Sequence, residues 1–455
     1  MSAPVSPVGH GASPAGPEPA PRPPAGGRLG RYARSFTGFE RDAQIFLLTT
    51  LVAGAATSLY WIDFNLYLQS LGVSRPTIGL IAAAASIAGV VVAFPASGLS
   101  DRIGRRWVMA IGLGLVLVAF VGFLSWTSLA ALAAFAACYG AGSQATQIVA
   151  SPFLTEHSRR DHRNELFAVQ FAISNLTNVG AAVLGGVVAA PLAVALGLGG
   201  TGPGPYRILL GLMAALTLAA LATVFLISDD RPRPRIANLP AARSGRPGRF
   251  GITIVDRGRF VRLLLPGFLT SLGAGQIIPF LNVFIEGKFH LDIASLNAVF
   301  AVTSLGTTVA VLLQPALARR LGKVGSVVLV QAVSIPFFVV LGFSPLLWSV
   351  VLAMAVRNSL MNAGNPIFNA FAMESLGTTE RATYSAAANL LWSLGWSVGE
   401  PFYSLAQASF GFEVGYAIDF FVVIVLYTVA TYQLWDWFGK SERVLRTADV
   451  PSQTT

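Results

Sequence analysis

From residue 43 to residue 437 the chain is a succession of long apolar runs separated by short polar ones. A helix needs about 20 mostly apolar residues to cross a hydrocarbon core about 30 Å thick. Against that length the pattern predicts twelve spanning helices, at 43–69, 76–97, 107–126, 128–152, 165–190, 206–228, 260–286, 293–317, 324–343, 346–371, 382–407 and 416–437. Between the sixth and seventh the apolar pattern stops. The intervening stretch "SDDRPRPRIANLPAARSGRPGRFG", Ser228 to Gly251, is rich in proline and arginine and divides six spans from six. The expected organisation is a cytosolic tail over 1–42, a six-helix bundle over 43–228, a linker over 229–258, a second six-helix bundle over 259–438 and a tail over 439–455.

Composition agrees with an all-α membrane protein. Of 455 residues, 54% are hydrophobic and 11% charged, where soluble domains carry about 25% charged residues. The start of the chain, "MSAPVSPVGHGASPAGPEPAPRPPAGG", lacks an apolar core and reads as a disordered tail rather than a signal peptide. Cytoplasmic loops collect lysine and arginine. If the N-terminus is cytoplasmic, 27 of the 31 basic residues fall on that side, Arg75, Arg207 and Lys288 lie opposite, and Arg357 is inside a span. Both termini are therefore expected in the cytoplasm of a multi-pass protein of the plasma membrane. Topology thus accounts for the net charge of +10, and no nucleic-acid partner is expected. The single Cys138 excludes a disulfide framework, and His10, His157, His162 and His290 have no metal-ligand spacing. No nucleophile elbow, phosphate-binding loop or zinc motif is present. The reading is of a protein that is not an enzyme, holds no cofactor or metal, and works as a monomer in the lipid bilayer.

An internal repeat underlies the two sets of six. "FNLYLQS" (64–70) aligns with "LNVFIEG" (281–287) at a shift of 217, and one inserted residue gives 218 thereafter. "DRIGRR" (101–106) then falls on "RRLGKV" (319–324), and "TEHSRRDHR" (155–163) on "MESLGTTER" (373–381). Glu156 matches Glu374, and Arg163 matches Arg381.

The loop "SGLSDRIGRR" resembles the signature loop of the major facilitator superfamily, usually G-x-L-a-D-r-x-G-r-k, with Ser97 where the first glycine is usual. The resemblance covers about residues 43 to 438. It implies two six-helix bundles around a midplane site, the architecture of a secondary transporter. It further implies that Asp101, Arg102, Gly104 and Arg105 hold the cytoplasmic side shut, the aspartate pairing with the basic residues that follow it. In the second half "ALARRLGK" places Arg319 at the aspartate position. The spacing Glu156–Arg163, repeated as Glu374–Arg381, resembles the superfamily's intracellular charge network. In that family the first, fourth, seventh and tenth spans line the central cavity.

Several polar groups lie inside spans. In "LAMAVRNSLMNAGNPIFNAF" (352–371), Asn358, Asn362, Asn365 and Asn369 share one helix face. The repeat carries them to Gly140, Gln144, Gln147 and Ser151, so both helices bear an amide stripe that reads as cavity lining. Arg357, opposite Tyr139 in the repeat, lies near the membrane centre, where an unpaired charge costs at least about 2.5 kcal/mol. It is expected to face the cavity or hold an acid. Two acids are available: Asp63 in "LYWIDFNLYL" and Glu400 in "GWSVGEPFYS", the latter followed by the helix-bending Pro401. A proton-coupling group must change its proton affinity between two states of the protein, and Asp63 and Glu400 are the candidates. Glu286, Asp292, Glu413 and Asp419 read as solvated near the outer surface. Tyr60, Trp61, Trp392 and Trp396 flank the acids, with Trp396 a candidate for substrate contact.

The sequence is thus read as a proton-coupled transporter that moves a small organic solute by alternating access. Drug-type antiporters of the superfamily often carry an arginine where this chain has "CYGAGSQA" and a Gly-Pro pair where it has "GAAVLGG". A drug efflux antiporter and a non-transporting receptor of the same fold are the alternatives.

Overall fold

The structure, a computed structural model, describes residues 39–157, 163–198, 202–228, 256–377 and 380–439. Residues 229–255 of the expected linker, and all but the inner margins of both expected tails, lie outside the described residues. All regular structure described is helical: α1 Arg41–Ser70, α2 Arg75–Ile103, α3 Arg105–Ser125, α4 Leu129–Glu156, α5 Arg163–Ala195 and α6 Pro203–Val224. They are followed by α7 Arg257–Phe289, whose middle is a 3-10 turn at Ile278–Phe280. Next come α8 Ile293–Leu321, α9 Lys323–Phe343 and α10 Leu347–Ser375. The last stretch, Arg381–Leu434, breaks at Gly411, whose φ of 71° only glycine adopts readily; residues 381–410 are α11 and 412–434 are α12. Each expected span is found within a few residues. Several run a few residues longer, so α1 starts inside the expected tail and α7 inside the expected linker.

Local chemistry sets these limits. Proline near the start favours α2 and α6, because its missing N–H would have no helical partner there. Asp256 caps α7 by accepting from the Arg259 N–H at 3.0 Å. Gly104 (φ 96°) and Gly322 (φ 82°) make the turns between α2 and α3 and between α8 and α9. They occupy the same place in the repeat, so the glycine of the signature loop has a backbone reason.

Among the described residues, eight helical stretches are long and apolar enough to cross a membrane. α4 and α10, which carry the amide stripes, are not among them. The lipid-facing pattern is visible in exposed side chains such as Phe94, Leu176, Val187, Trp348 and Phe421, which in water would be an aggregation liability.

Asp42, His157 and Ser228 meet at one end of the molecule, here called the terminal face because both ends of the described chain lie there. Gln69, Arg75, Glu286 and Phe412 meet at the opposite face. Helices before residue 228 pack on those after 256 mainly through α2 on the 381–434 stretch and α5 on α8. Buried apolar side chains form three clusters. One joins the halves through residues such as Leu59, Tyr67, Phe280, Ile285 and Tyr403. The other two contain one half each: Phe46, Met109, Phe153 and Val224 in one, Phe260, Val327, Tyr384 and Leu434 in the other. The halves therefore share a core toward the opposite face and have separate cores toward the terminal face.

Candidate transport site

Where the halves part, a cavity of about 230 Å³ opens between α1, α2, α4, the turn in α7 and α11. Close helix packing shapes it. A Cβ on Gly140 would lie 1.9 Å from the Ala85 carbonyl oxygen, so only glycine lets α4 rest on α2 at this point. On the other wall a Cβ at Gly399 would lie 2.6 Å from the Leu272 carbonyl, which ties α11 to α7 backbone to backbone.

The lining is aromatic and polar. Tyr60 and Tyr139 stack with centroids 3.6 Å apart, and Trp61 meets Trp396 edge to face at 5.6 Å. Ser86, Ser143, Gln144, Gln147 and Ser393 add hydroxyls and amides, and Glu400 adds the single carboxyl group among the lining residues. Its Oε1 accepts from Ser86 Oγ at 2.8 Å, a bond between halves, while Oε2 has no partner among the described residues. The buried Trp396 indole N–H is likewise unpartnered there. Of the expected cavity residues, Tyr139, Gln144, Gln147 and Trp396 are thus brought together with Glu400.

Asp63 is placed elsewhere. It is buried at the meeting of α1 with α8, its Oδ1 accepts from Asn297 Nδ2 at 3.0 Å, and Oδ2 has no partner among the described residues. Asn297 is held close by Gly185 of α5, where a Cβ would come within 2.8 Å of its Oδ1. Asp63 therefore bridges the halves without lining the cavity. The expectation of a solvated Asp419 is not met: this residue is fully buried and receives a 3.3 Å bond from Gln407.

Arg357 touches neither acid nor the cavity, contrary to expectation. Its helix face turns toward α9 and α12, one step around from the asparagine stripe. There it donates to Asn358 Oδ1 and Tyr427 OH, both at 2.9 Å, and lies 4.4 Å from the Phe338 ring centroid. A hydroxyl, an amide and two aromatic faces take the place of a carboxylate. The asparagine stripe also leaves the central cavity. Asn362 donates back to the Asn358 carbonyl at 2.9 Å, whereas Asn365 and Asn369 line a second cavity. So α10 is absent from the central lining and α2 and α11 stand in it.

At the opposite face the repeat becomes an interface. Asn65 Nδ2 donates to the Pro279 carbonyl at 2.6 Å, and Asn282 Nδ2 to the Ile62 carbonyl at 2.7 Å. Asn65 and Asn282 are repeat equivalents, as are Ile62 and Pro279, so the bonds are reciprocal about a pseudo-two-fold axis. Gln69 and Glu286, also equivalent, meet on that axis at 2.7 Å. Neither asparagine stood out in a single span; their common register in "FNLYLQS" and "LNVFIEG" was the available signal.

At the terminal face the pairs stay within each half. Arg105 holds Glu156 through two bonds of 2.6 and 2.5 Å. Lys323 holds Glu374. Both pairs are 51 residues apart in sequence, so the repeat reproduces them. Asp101 and Arg102 are exposed and Asp101 has no ion pair among the described residues, so Arg105 pairs with Glu156 instead of the expected aspartate. Arg381 donates to the Leu376 carbonyl at 3.2 Å rather than to Glu374; the side chain of Arg163 lies outside the described residues.

A bundle of apolar helices with a polar cavity between its halves defines a multi-pass membrane protein of the transporter type. The profile of the Major Facilitator Superfamily matches residues 46–400. The chain belongs to that superfamily. Solved structures agree in fold: the nucleoside transporter NupG is 13% identical with a TM-score of 0.65, over 87% of this chain and 99% of that one. A bacterial homologue of the human lysosomal transporter Spinster, in an inward-facing and occupied conformation, is 14% identical with a TM-score of 0.64, over 88% and 96%. The human organic anion transporter MFSD10 is 17% identical with a TM-score of 0.60, over 87% and 99%. No curated protein matched the sequence.

Proposed function

We propose that this protein is a proton-coupled secondary transporter of a small, flat, hydrogen-bonding organic solute that is neutral or positively charged. The observation that carries the reading is the cavity's chemistry: the acid Glu400 is its one ionisable carboxyl or basic lining residue, set among tyrosine and tryptophan rings and amides, with no cation among the lining residues. Arg357, the cation that would have favoured an anion, is engaged elsewhere. Rings stack on the aromatic walls, amides and hydroxyls meet the solute's polar edges, and a cationic ring gains from the indoles and the carboxylate.

In this reading the terminal face is cytoplasmic and the two six-helix bundles rock about the cavity. The structure's shared core at the opposite face and separate cores at the terminal face correspond to an inward-open state. Closing that side separates the Asn65–Pro279 and Asn282–Ile62 bonds and changes the surroundings of Glu400 and Asp63, since each bonds to the other half. A group whose partner changes between states changes its proton affinity, which couples the proton to the solute. Glu400 competes with or assists the solute directly; Asp63 acts through Asn297. Glu156 and Glu374, with Arg105 and Lys323, keep each bundle's cytoplasmic end rigid. An organic cation exchanged for a proton at Glu400 is the efflux form of the same mechanism.

The test is transport by purified protein in liposomes holding a pH dye, with uridine, ethidium and benzoate as neutral, cationic and anionic probes. Uridine or ethidium should move with protons and benzoate should not. Glu400→Gln should bring proton movement to background while Arg357→Ala preserves the probe preference. Benzoate as the preferred probe, or full proton coupling in Glu400→Gln, would refute the reading.

A further inference from the structure

A second cavity, of about 300 Å³, lies within the second half between α7, α9, α10, α11 and α12. Four amides face it: Gln331 from α9, Asn365 and Asn369 from α10, and Asn389 from α11. Thr270 adds a hydroxyl, and Phe268, Phe368, Tyr384 and Trp392 add rings. None of its lining residues is charged. Asn365, Asn369 and Asn389 have no hydrogen-bond partner among the described residues, and Gln331 has only its Oε1 engaged, by Thr431 at 3.3 Å. All three asparagines are exposed, so their donors and acceptors stand open to water or to a solute in the cavity.

Trp392 belongs to both cavities. Its backbone is fixed, because its carbonyl accepts from Ser271 Oγ at 2.5 Å and a Cβ on Gly395, one turn on, would lie 2.2 Å from that same oxygen. The indole itself is 42% exposed. A fixed backbone that carries an exposed ring shared by both linings puts that ring between the two cavities.

We propose that this second cavity is a solute site on the inward path, loaded from the central cavity past the Trp392 ring. It rests on the solute class inferred above and adds to it. The central site holds the solute by stacking and by Glu400. The second holds it by amides and rings alone, so a proton left on Glu400 no longer influences the solute's release. The repeat explains why the site is one-sided: Asn365 and Asn369 correspond to Gln147 and Ser151, and Gln147 faces the central cavity.

Equilibrium dialysis of the full-length protein in detergent, with tritiated uridine and separately with ethidium, measures the number of sites. The probe that binds should saturate at two molecules per chain in the wild type. Asn365→Leu with Asn369→Leu should give one, Gln144→Leu with Gln147→Leu should give one, and Asn365→Gln with Asn369→Gln should restore two. One molecule per wild-type chain, or two in the Asn365→Leu, Asn369→Leu protein, overturns the second site and leaves the proposed function standing. Loss of all binding in that monodisperse double variant means one continuous site and also overturns it. No saturable binding of either probe to the wild type overturns both readings.

Discussion

The two ends of this molecule are held together by opposite kinds of interaction. At the opposite face the halves are joined by buried, mostly uncharged hydrogen bonds, with Asn65 and Asn282 at 9% and 2% exposure. At the terminal face Arg105–Glu156 and Lys323–Glu374 are ion pairs inside single halves, with Glu156 and Glu374 more than half exposed. An exposed ion pair is worth about 0–1 kcal/mol. A buried hydrogen bond is worth about 0.5–1.5 kcal/mol net, and Asn65 and Asn282 make two of them across the halves. In the proposed mechanism the balance between two open states is therefore set at the buried end, while the charges that stand out in the sequence pair within each half.

The largest effect should come from breaking the buried end. Asn65→Leu with Asn282→Leu removes both buried hydrogen bonds between the halves, about 1–3 kcal/mol together, and shifts the ratio of open to closed opposite face by about 5-fold or more. Spin labels at Ser74→Cys and Ser295→Cys in a Cys138→Ser background report it as a new long-distance population. An unchanged distance distribution would break the comparison.

Arg357→Ala sharpens it from inside one half. Losing the guanidinium leaves the buried Tyr427 hydroxyl and Asn358 oxygen unpaired, and thermal denaturation should show a loss of about 1–3 kcal/mol. The distance distribution should stay as in the wild type. Arg105→Ala and Lys323→Ala, singly, should lower stability by less than about 1 kcal/mol, an effect that shrinks as salt is raised. A shift of the spin-label distances in either would move the balance to the terminal face.

The smallest effect belongs to Asp292, which caps α8 by accepting from the Ser295 N–H at 3.3 Å. Its hydrogen bonds to Ser295 hold its carboxyl below the usual carboxylate range. A depressed folded value contributes stability that is fully present above about pH 4, the unfolded value, and disappears as the pH falls through the folded one. Asp292→Ala should therefore cost about 0.5 kcal/mol at neutral pH, the low end for an exposed cap, and nothing in strong acid.

The spans were legible because apolar length is a one-dimensional property: each helix is found where the hydropathy run places it. The repeat was legible for a related reason, since Gly104 and Gly322, Glu156 and Glu374, and Asn65 and Asn282 keep their register along the chain. The partner of Arg357 was not. Its helix offers faces 100° apart at successive residues, and the choice between cavity, α9 and α12 depends on how α10 is rotated in the bundle. The same holds for Asp419, whose position near a helix start reads as solvated until α11 folds Gln407 over it.

The sequence by itself determined the helical membrane fold, the superfamily, the two-fold repeat and the helices on which Glu400, Asp63 and the amides sit. These follow from composition and spacing, which the chain carries without help from its neighbours. Only the tertiary structure decided that Glu400 stands in the cavity while Asp63 bridges to Asn297, that Arg357 is engaged by Tyr427, and that the asparagine stripe divides between an internal helix contact and a second cavity. Those outcomes depend on helix rotation and on contacts such as Gly140 against Ala85. Such contacts join residues far apart in the chain and exist only once the helices have packed.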